Sequence, residues 1–245
     1  MKAQMEVVDA NTFFGPSPSP ATDLSLELLV KAIQNHAISR ACTLSTVGFL
    51  HNWVEGNAAT AAACEGKPEL IPVATIDPRG FFPSSRIMEA LASNRFKMVR
   101  FFPDQQDWPI NYAPFTAILD QLEHAGLPVM ISAARPGQAT ALLESAKGRE
   151  IRFILTGTTY EGIAEAVEVM RKADNIFIET HSLIACGAIE LIVKEVGPDR
   201  VIFGSGCPAA SLAGALRQMQ FADLADPDKQ KILSDNIKRL LPSQA

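Results

Sequence analysis

An α/β fold, a single-domain (β/α)8 TIM barrel spanning residues 1–245, is predicted by three observations. Eight short runs rich in β-branched or apolar residues follow one another along the chain, and each is followed by a stretch with helical periodicity. Parallel strands covered by helices on both faces read as near-continuous apolar runs rather than alternating ones, and these runs have that character. The length, 245 residues at 47% hydrophobic content, suits one barrel core rather than two smaller domains.

The first run, MEVVDANT (5–12), leads into the irregular FFGPSPSPATD (13–23), which Pro16, Pro18 and Pro20 stiffen. LSLELLVKAIQNH (24–36) then carries apolar residues at three- and four-residue spacings, a helical pattern. ISRACTLST (38–46) and LIPVATID (70–77) are the second and third strands, and FKMVRFFP (96–103) is the fourth. The next loop, PDQQDWPINYAP (103–114), holds Trp108 and Tyr112, which either pack down along the loop or cover a ligand. A helix over PFTAILDQLEHAG (114–126) starts near Pro114 and stops at Gly126.

LPVMISA (127–133) is the fifth strand, with Pro136 near the next helix start, and IRFILTGT (151–158) is the sixth. EGIAEAVEVMRKAD (161–174) is helical, NIFIETH (175–181) is the seventh strand, and the helix AIELIVKEVG (188–197) ends at Gly197. VIFGSGCP (201–208) is the eighth strand, and DPDKQKILSDNIKRLL (226–241) reads as one closing helix. The two longest loops, after strands one and four, would both lie on the C-terminal face, where barrel sites are built.

A net charge of −5 leaves no basic footprint for nucleic acid. No apolar run approaches the roughly 20 residues that span a bilayer, and MKAQMEVVDA has neither a signal-peptide core nor a transit pattern, so a cytoplasmic protein is expected. Cys42, Cys64, Cys186 and Cys207 are scattered without a C-x-x-C pair and read as reduced thiols. GSGCPA fits a dinucleotide-binding pattern but lacks the further strand with an acidic residue, and there is no Walker motif, G-x-S-x-G or H-E-x-x-H. The expected cofactors are therefore none, and the expected partner is a small-molecule ligand. Association into a homo-oligomer through the outer helices stays open.

His181 ends the seventh strand at the C-terminal face, and Glu179 lies two residues back on the same side, so the carboxylate could orient the imidazole as a general base. A structural role, facing the helical layer or capping a loop, competes with that reading. Arg100 interrupts the fourth strand between Val99 and Phe101, where it either binds a substrate carboxylate or forms an internal ion pair with Asp9, Asp77 or Glu179. Cys207 and His51 are weaker candidates, since alternation turns Cys207 away from the site if Gly206 faces it, and His51 fits a loop or helix start.

The ordered set of LIPVATIDPR, GLPVMI, NIFIET and GPDRVIFGS resembles the amidohydrolase-related family of TIM-barrel hydrolases along almost the whole chain. That resemblance implies a divalent metal bound at the strand ends, and this sequence departs from it at each such position. The family's first-strand D-x-H-x-H motif becomes Asp9, Asn11 and Phe13. Ser132 and Gly157 replace the histidines of the fifth and sixth strands, and Gly206 replaces the acid of the eighth. Asn11 and Ser132 are poor ligands for zinc, while Phe13 and the glycines offer no donor.

The expectation is a barrel that keeps the hydrolase fold without the metal. His181 and Glu179 are its catalytic candidates, and Arg100, Asp9, Asn11 and Ser132 its substrate-binding candidates. A small polar or carboxylate-bearing lactone or ester suits such a site better than an amide. A non-catalytic binding or regulatory protein on the same fold is the alternative, and a metal held by Asp9, Glu179 and His181 a third reading.

Overall fold

The computed structural model describes residues 5–82, 87–92 and 96–242. Residues 1–4, on which the reading of the chain start partly rests, lie outside these. Among the described residues the strands are β1 Val8–Phe14, β2 Arg40–Ser45, β3 Leu70–Thr75, β4 Met98–Phe101, β5 Val129–Ser132, β6 Phe153–Thr156, β7 Ile176–Glu179 and β8 Val201–Ile202. Each pairs in parallel with the next in chain order.

The last segment then meets the first. The Ala10 N–H donates to the Phe203 carbonyl (3.0 Å), the Gly206 N–H to the Asn11 carbonyl (2.8 Å) and the Phe13 N–H to the Cys207 carbonyl (3.0 Å). These bonds close the sheet on itself, and the fold is a (β/α)8 TIM barrel.

The helices are α1 Leu26–Asn35, α2 Val47–Leu50, α3 Trp53–Cys64, α4 Ile87–Ala92, α5 Pro103–Gln106, α6 Ala113–Glu123, α7 Gln138–Ala146, α8 Ile163–Lys172, α9 Ala188–Val196, α10 Leu212–Phe221, α11 Asp226–Gln230 and α12 Asn236–Leu240. Local chemistry sets their starts. The Ser25 hydroxyl accepts from the Leu28 N–H (3.2 Å) ahead of α1, whose Leu29 and Ile33 share one buried face. Asn52 caps α3 in the same way, accepting from the Val54 N–H (2.9 Å) and the Glu55 N–H (3.3 Å), and His51 sits at the end of α2.

Strand side chains bury on both faces, and the two alternating sets form two layers. The outer set packs with the helices: Val99, Ile131 and Leu155 share one cluster with Phe115 and Leu142. The inner set, including Val8, Ile71, Met98, Met130, Ile154 and Ile202, fills the barrel, and Ile237 and Leu240 of α12 join it. At ~1.5–3 kcal/mol for each fully buried aliphatic side chain, this inner layer is a stiff floor beneath anything built at the strand ends.

One loop and the tail refine the expectations. Trp108 is buried, its ring against Phe115 (5.2 Å between centroids) and its indole N–H on Gln106 (3.0 Å), so it packs down along its loop. The tail is not one α-helix: Lys231–Asp235 is a π-helical turn between α11 and α12. Its physical use is visible in the Ile232 carbonyl, which accepts from the Phe203 N–H (2.9 Å) and ties the end of β8 to the tail.

Candidate functional site

The site is one layer above the apolar floor. Side chains alternate along a strand, so the residue two beyond each floor residue points into the barrel nearer the C-terminal ends. Arg100 stands two beyond Met98, Ser132 two beyond Met130, Thr156 two beyond Ile154 and Glu179 two beyond Phe177. Asn11 joins this layer because β1 shifts register between Asp9 and Thr12, which re-aims the strand end.

Asn11 is the connector. Its amide nitrogen donates to Glu179 Oε1 (3.3 Å) and Thr156 Oγ1 (3.4 Å), and its amide oxygen accepts from Arg100 Nη1. The guanidinium is therefore separated from the carboxylate by a neutral amide, and no direct Arg100 ion pair with Asp9, Asp77 or Glu179 occurs among the described residues. Asp77 pairs with Arg79 in its own loop instead (2.8 Å).

Arg100 is 5% exposed and rests against two adjoining rings, 4.5 Å from the Phe13 centroid and 4.8 Å from that of Phe102. Phe102 stacks in turn on Phe49 at 4.1 Å. The ring faces stabilise a cation that burial would otherwise penalise. Burial pulls its pKa down to about 10, against the opposing pull of Glu179, so it stays charged at neutral pH. Its Nε has no partner, which leaves one buried donor unmatched.

Glu179 is 1% exposed. Burial alone would raise its pKa, but the charge of His181, the hydrogen bonds from His181 and Thr156 and the His181 backbone N–H (2.9 Å) outweigh it. The carboxyl is held at about 2 and is ionised under ordinary conditions. His181 Nδ1 meets Glu179 Oε1 directly, and an ionised carboxylate accepts only, so Nδ1 carries the proton. Nε2 is then the basic nitrogen, and the Ser182 hydroxyl lies 2.9 Å from it.

Two glycines make room for this pair. A methyl group on Gly204 would stand 2.2 Å from Glu179 Oε2. One on Gly206 would stand 3.1 Å from the His181 ring, and the residue's φ of +71° is itself a glycine conformation. The imidazole thus lies against the position where the family resemblance places an acid.

The remaining candidates are placed differently. Asp9 turns its carboxylate to the seam between β1 and the segment after β8, accepting from the Ser205 N–H (3.0 Å), the Asn11 N–H (3.0 Å) and the Ser205 hydroxyl. Burial raises its pKa to about 6, more than those three bonds lower it, with Glu179 adding to the rise. Ser132 reaches Asp104 (3.3 Å), which also holds Gln138 (2.8 Å) and Arg135 (3.1 Å). Cys207 belongs to the outer apolar layer, where burial pushes its thiol up to about 12.

Thr156, Ser182, Ser205, Phe49 and Phe102 belong to the site or its walls without having been singled out by sequence, and Phe13 was singled out only as a lost ligand. Of these only Phe102 and Thr156 carry a signal, the inward parity of their strands. Among the described residues no group of three or more His, Cys, Asp or Glu side chains is placed to hold a metal ion.

A family model described as Amidohydrolase matches residues 50–243. No curated protein matches the chain. Among solved structures, the chain is similar to a 2,6-dihydroxybenzoate decarboxylase from Rhizobium, with a TM-score of 0.76 and 14% identity over 97% of this chain and 98% of that one. It is similar to a dihydroxybenzoic acid decarboxylase from Polaromonas sp. JS666, which holds manganese and the inhibitor 2-nitroresorcinol; the TM-score is 0.77, with 13% identity over 97% of each chain. A protein described as a probable 2-pyrone-4,6-dicarboxylic acid hydrolase from Acinetobacter baumannii, with citric acid bound, gives 0.71 and 14% identity over 96% of this chain and 99% of that one. At these identities the likeness shows a shared fold.

Proposed function

This chain belongs to the amidohydrolase family, and from that premise we propose that it hydrolyses a small carboxylate-bearing lactone or ester without a divalent metal. The observation that carries the reading is the contact of His181 Nδ1 with the buried, ionised Glu179. It fixes the tautomer, leaves Nε2 as the base and stabilises the imidazolium that forms when Nε2 takes a proton.

The donor set is the ground for the metal-free reading. Asn11 is committed to Arg100, Thr156 and Glu179, Ser132 to Asp104, and Phe13 to the guanidinium, while Gly157 and Gly206 have no side chain. These residues do not fit a catalytic zinc, which takes about three thiolate, imidazole or carboxylate ligands. Without a Lewis acid, a lactone or ester carbonyl is within reach of a histidine base where an unactivated amide is not.

Arg100 is the residue for the substrate carboxylate, since its charge is kept by two ring faces and its Nε is unmatched. The relatives named for carboxylic acids support a substrate of that class. Asp9 takes a structural part in this reading, holding the barrel seam through Ser205. A panel of carboxylated lactones and aryl esters tests it. His181→Ala should lower kcat/KM by about 10²-fold or more, and activity retained in that variant would refute the role.

One feature favours a second reading: Asn11, Thr156 and Glu179 satisfy one another, a closed network that a binding protein could keep after losing turnover. That protein would be stabilised against heat by the same compounds with no product formed.

A further inference from the structure

We infer that Ser182 is a nucleophile, and that Ser182, His181 and Glu179 form a serine–histidine–glutamate relay which acylates Ser182 during hydrolysis. This deepens the metal-free hydrolase reading and rests on it.

The geometry is that of a relay in order. The Ser182 hydroxyl stands 2.9 Å from His181 Nε2, and His181 Nδ1 is bound to Glu179 Oε1. With Glu179 ionised, Nδ1 donates to it, so the hydroxyl is left to donate to Nε2. That is the arrangement in which an imidazole withdraws the proton of an attacking hydroxyl. The carboxylate end is fully buried, while the His181 side chain is 23% exposed and Ser182 is half-buried, so the reactive end is the one that faces solvent.

The turn that carries Ser182 is fixed on both sides. The His181 N–H is held by Glu179 Oε2 (2.9 Å), and the Leu183 N–H donates to the Thr180 carbonyl (2.9 Å). Leu183 is buried, and its carbonyl accepts from the Gln218 amide. A hydroxyl on a turn pinned in this way is positioned rather than free to rotate away with its loop.

The chemistry balances with water alone. Ser182 Oγ attacks the ester carbonyl carbon while its proton passes to His181 Nε2. The carbon–oxygen bond to the alcohol then breaks, and the imidazolium returns the proton to the leaving alkoxide. Water next gives a proton to Nε2 and attacks the acyl carbon. Ser182 Oγ departs and takes the proton back.

The test labels the full-length protein with diisopropyl fluorophosphate, which phosphorylates a serine activated by an imidazole with loss of fluoride, and maps the label by peptide mass. Turnover of 4-nitrophenyl acetate is measured in parallel. Wild type should carry the label on Ser182, His181→Ala should label at least about 10²-fold more slowly, and Ser182→Ala should lose turnover by a similar factor. Absence of label on Ser182, or wild-type turnover in Ser182→Ala, overturns the inference. If turnover in that event is still lost in His181→Ala, His181 activates water directly and the hydrolase reading stands. If His181→Ala also keeps turnover, both fail.

Discussion

Glu179 holds its place because Gly204 has no side chain. The buried carboxylate accepts from Asn11, Thr156 and the His181 backbone, and its Oε2 occupies the space that a Cβ at 204 would take, 2.2 Å away. Gly204→Ala must therefore push the carboxylate out of its network or spread β7 from the segment after β8. Overpacking of this kind costs roughly 1–3 kcal/mol, and a urea titration should show that loss together with a fall in esterase turnover. Unchanged stability and turnover would show that the carboxylate has slack. His181 and Glu179 were legible as a pair because strand parity and a strand-end position are written in NIFIETH. Ser182 was not, because a serine in a loop has no signature of type or spacing. Phe13 read as a lost ligand, and its use as a platform for Arg100 depended on Phe102, which is distant in sequence.

Among the elements, β1 does the most to assemble the site. Its register shift brings Asn11 into the barrel, and Asp9 fastens it to the segment after β8. That seam carries a pH dependence. The pKa of Asp9 rises from 3.8 to about 6 on folding, so its contribution to stability is fully present below about 3.8 and is lost as pH rises through about 6. Glu179 acts in the opposite sense, its contribution being present above 4.5 and lost as pH falls through about 2. In Asp9→Asn the first of these disappears. The difference in unfolding free energy between the variant and wild type should shift in the variant's favour from pH 4 to pH 7, by ~3 kcal/mol at most. A difference that is flat with pH, measured by urea unfolding at each pH, would remove Asp9 as a titrating group.

The elements were also the most readable part of the sequence. Seven of the eight apolar runs contain their strands whole and β1 outruns the first by two residues, to Phe14, because strands buried on both faces leave a nearly unbroken hydrophobic mark. The π-helical turn at Lys231–Asp235 left none, since its cause is an acceptor bond to Phe203 from elsewhere in the fold. The β1 register shift was likewise hidden, because it is set by pairing with β2.

At the scale of the whole molecule, the barrel is a two-layer frame with a stiff apolar floor and a polar layer at its C-terminal end. The family match over residues 50–243 takes in β3 to β8 of this frame. The polar layer is where this chain differs from what the resemblance implies, with an Arg100 stack at Phe13 and a His181–Glu179 pair against Gly206. Among the described residues no helix is long and apolar enough to cross a membrane. The metal-free reading is that hydrolysis at this site runs on the Ser182, His181 and Glu179 side chains with no metal ion. It is tested most directly by elemental mass spectrometry of protein purified without chelator, joined to an esterase assay before and after exhaustive chelation. Zinc, manganese and iron should be far below one per chain, and turnover should be the same in both assays. Near-stoichiometric metal, with turnover lost on chelation and restored by the ion, would contradict it.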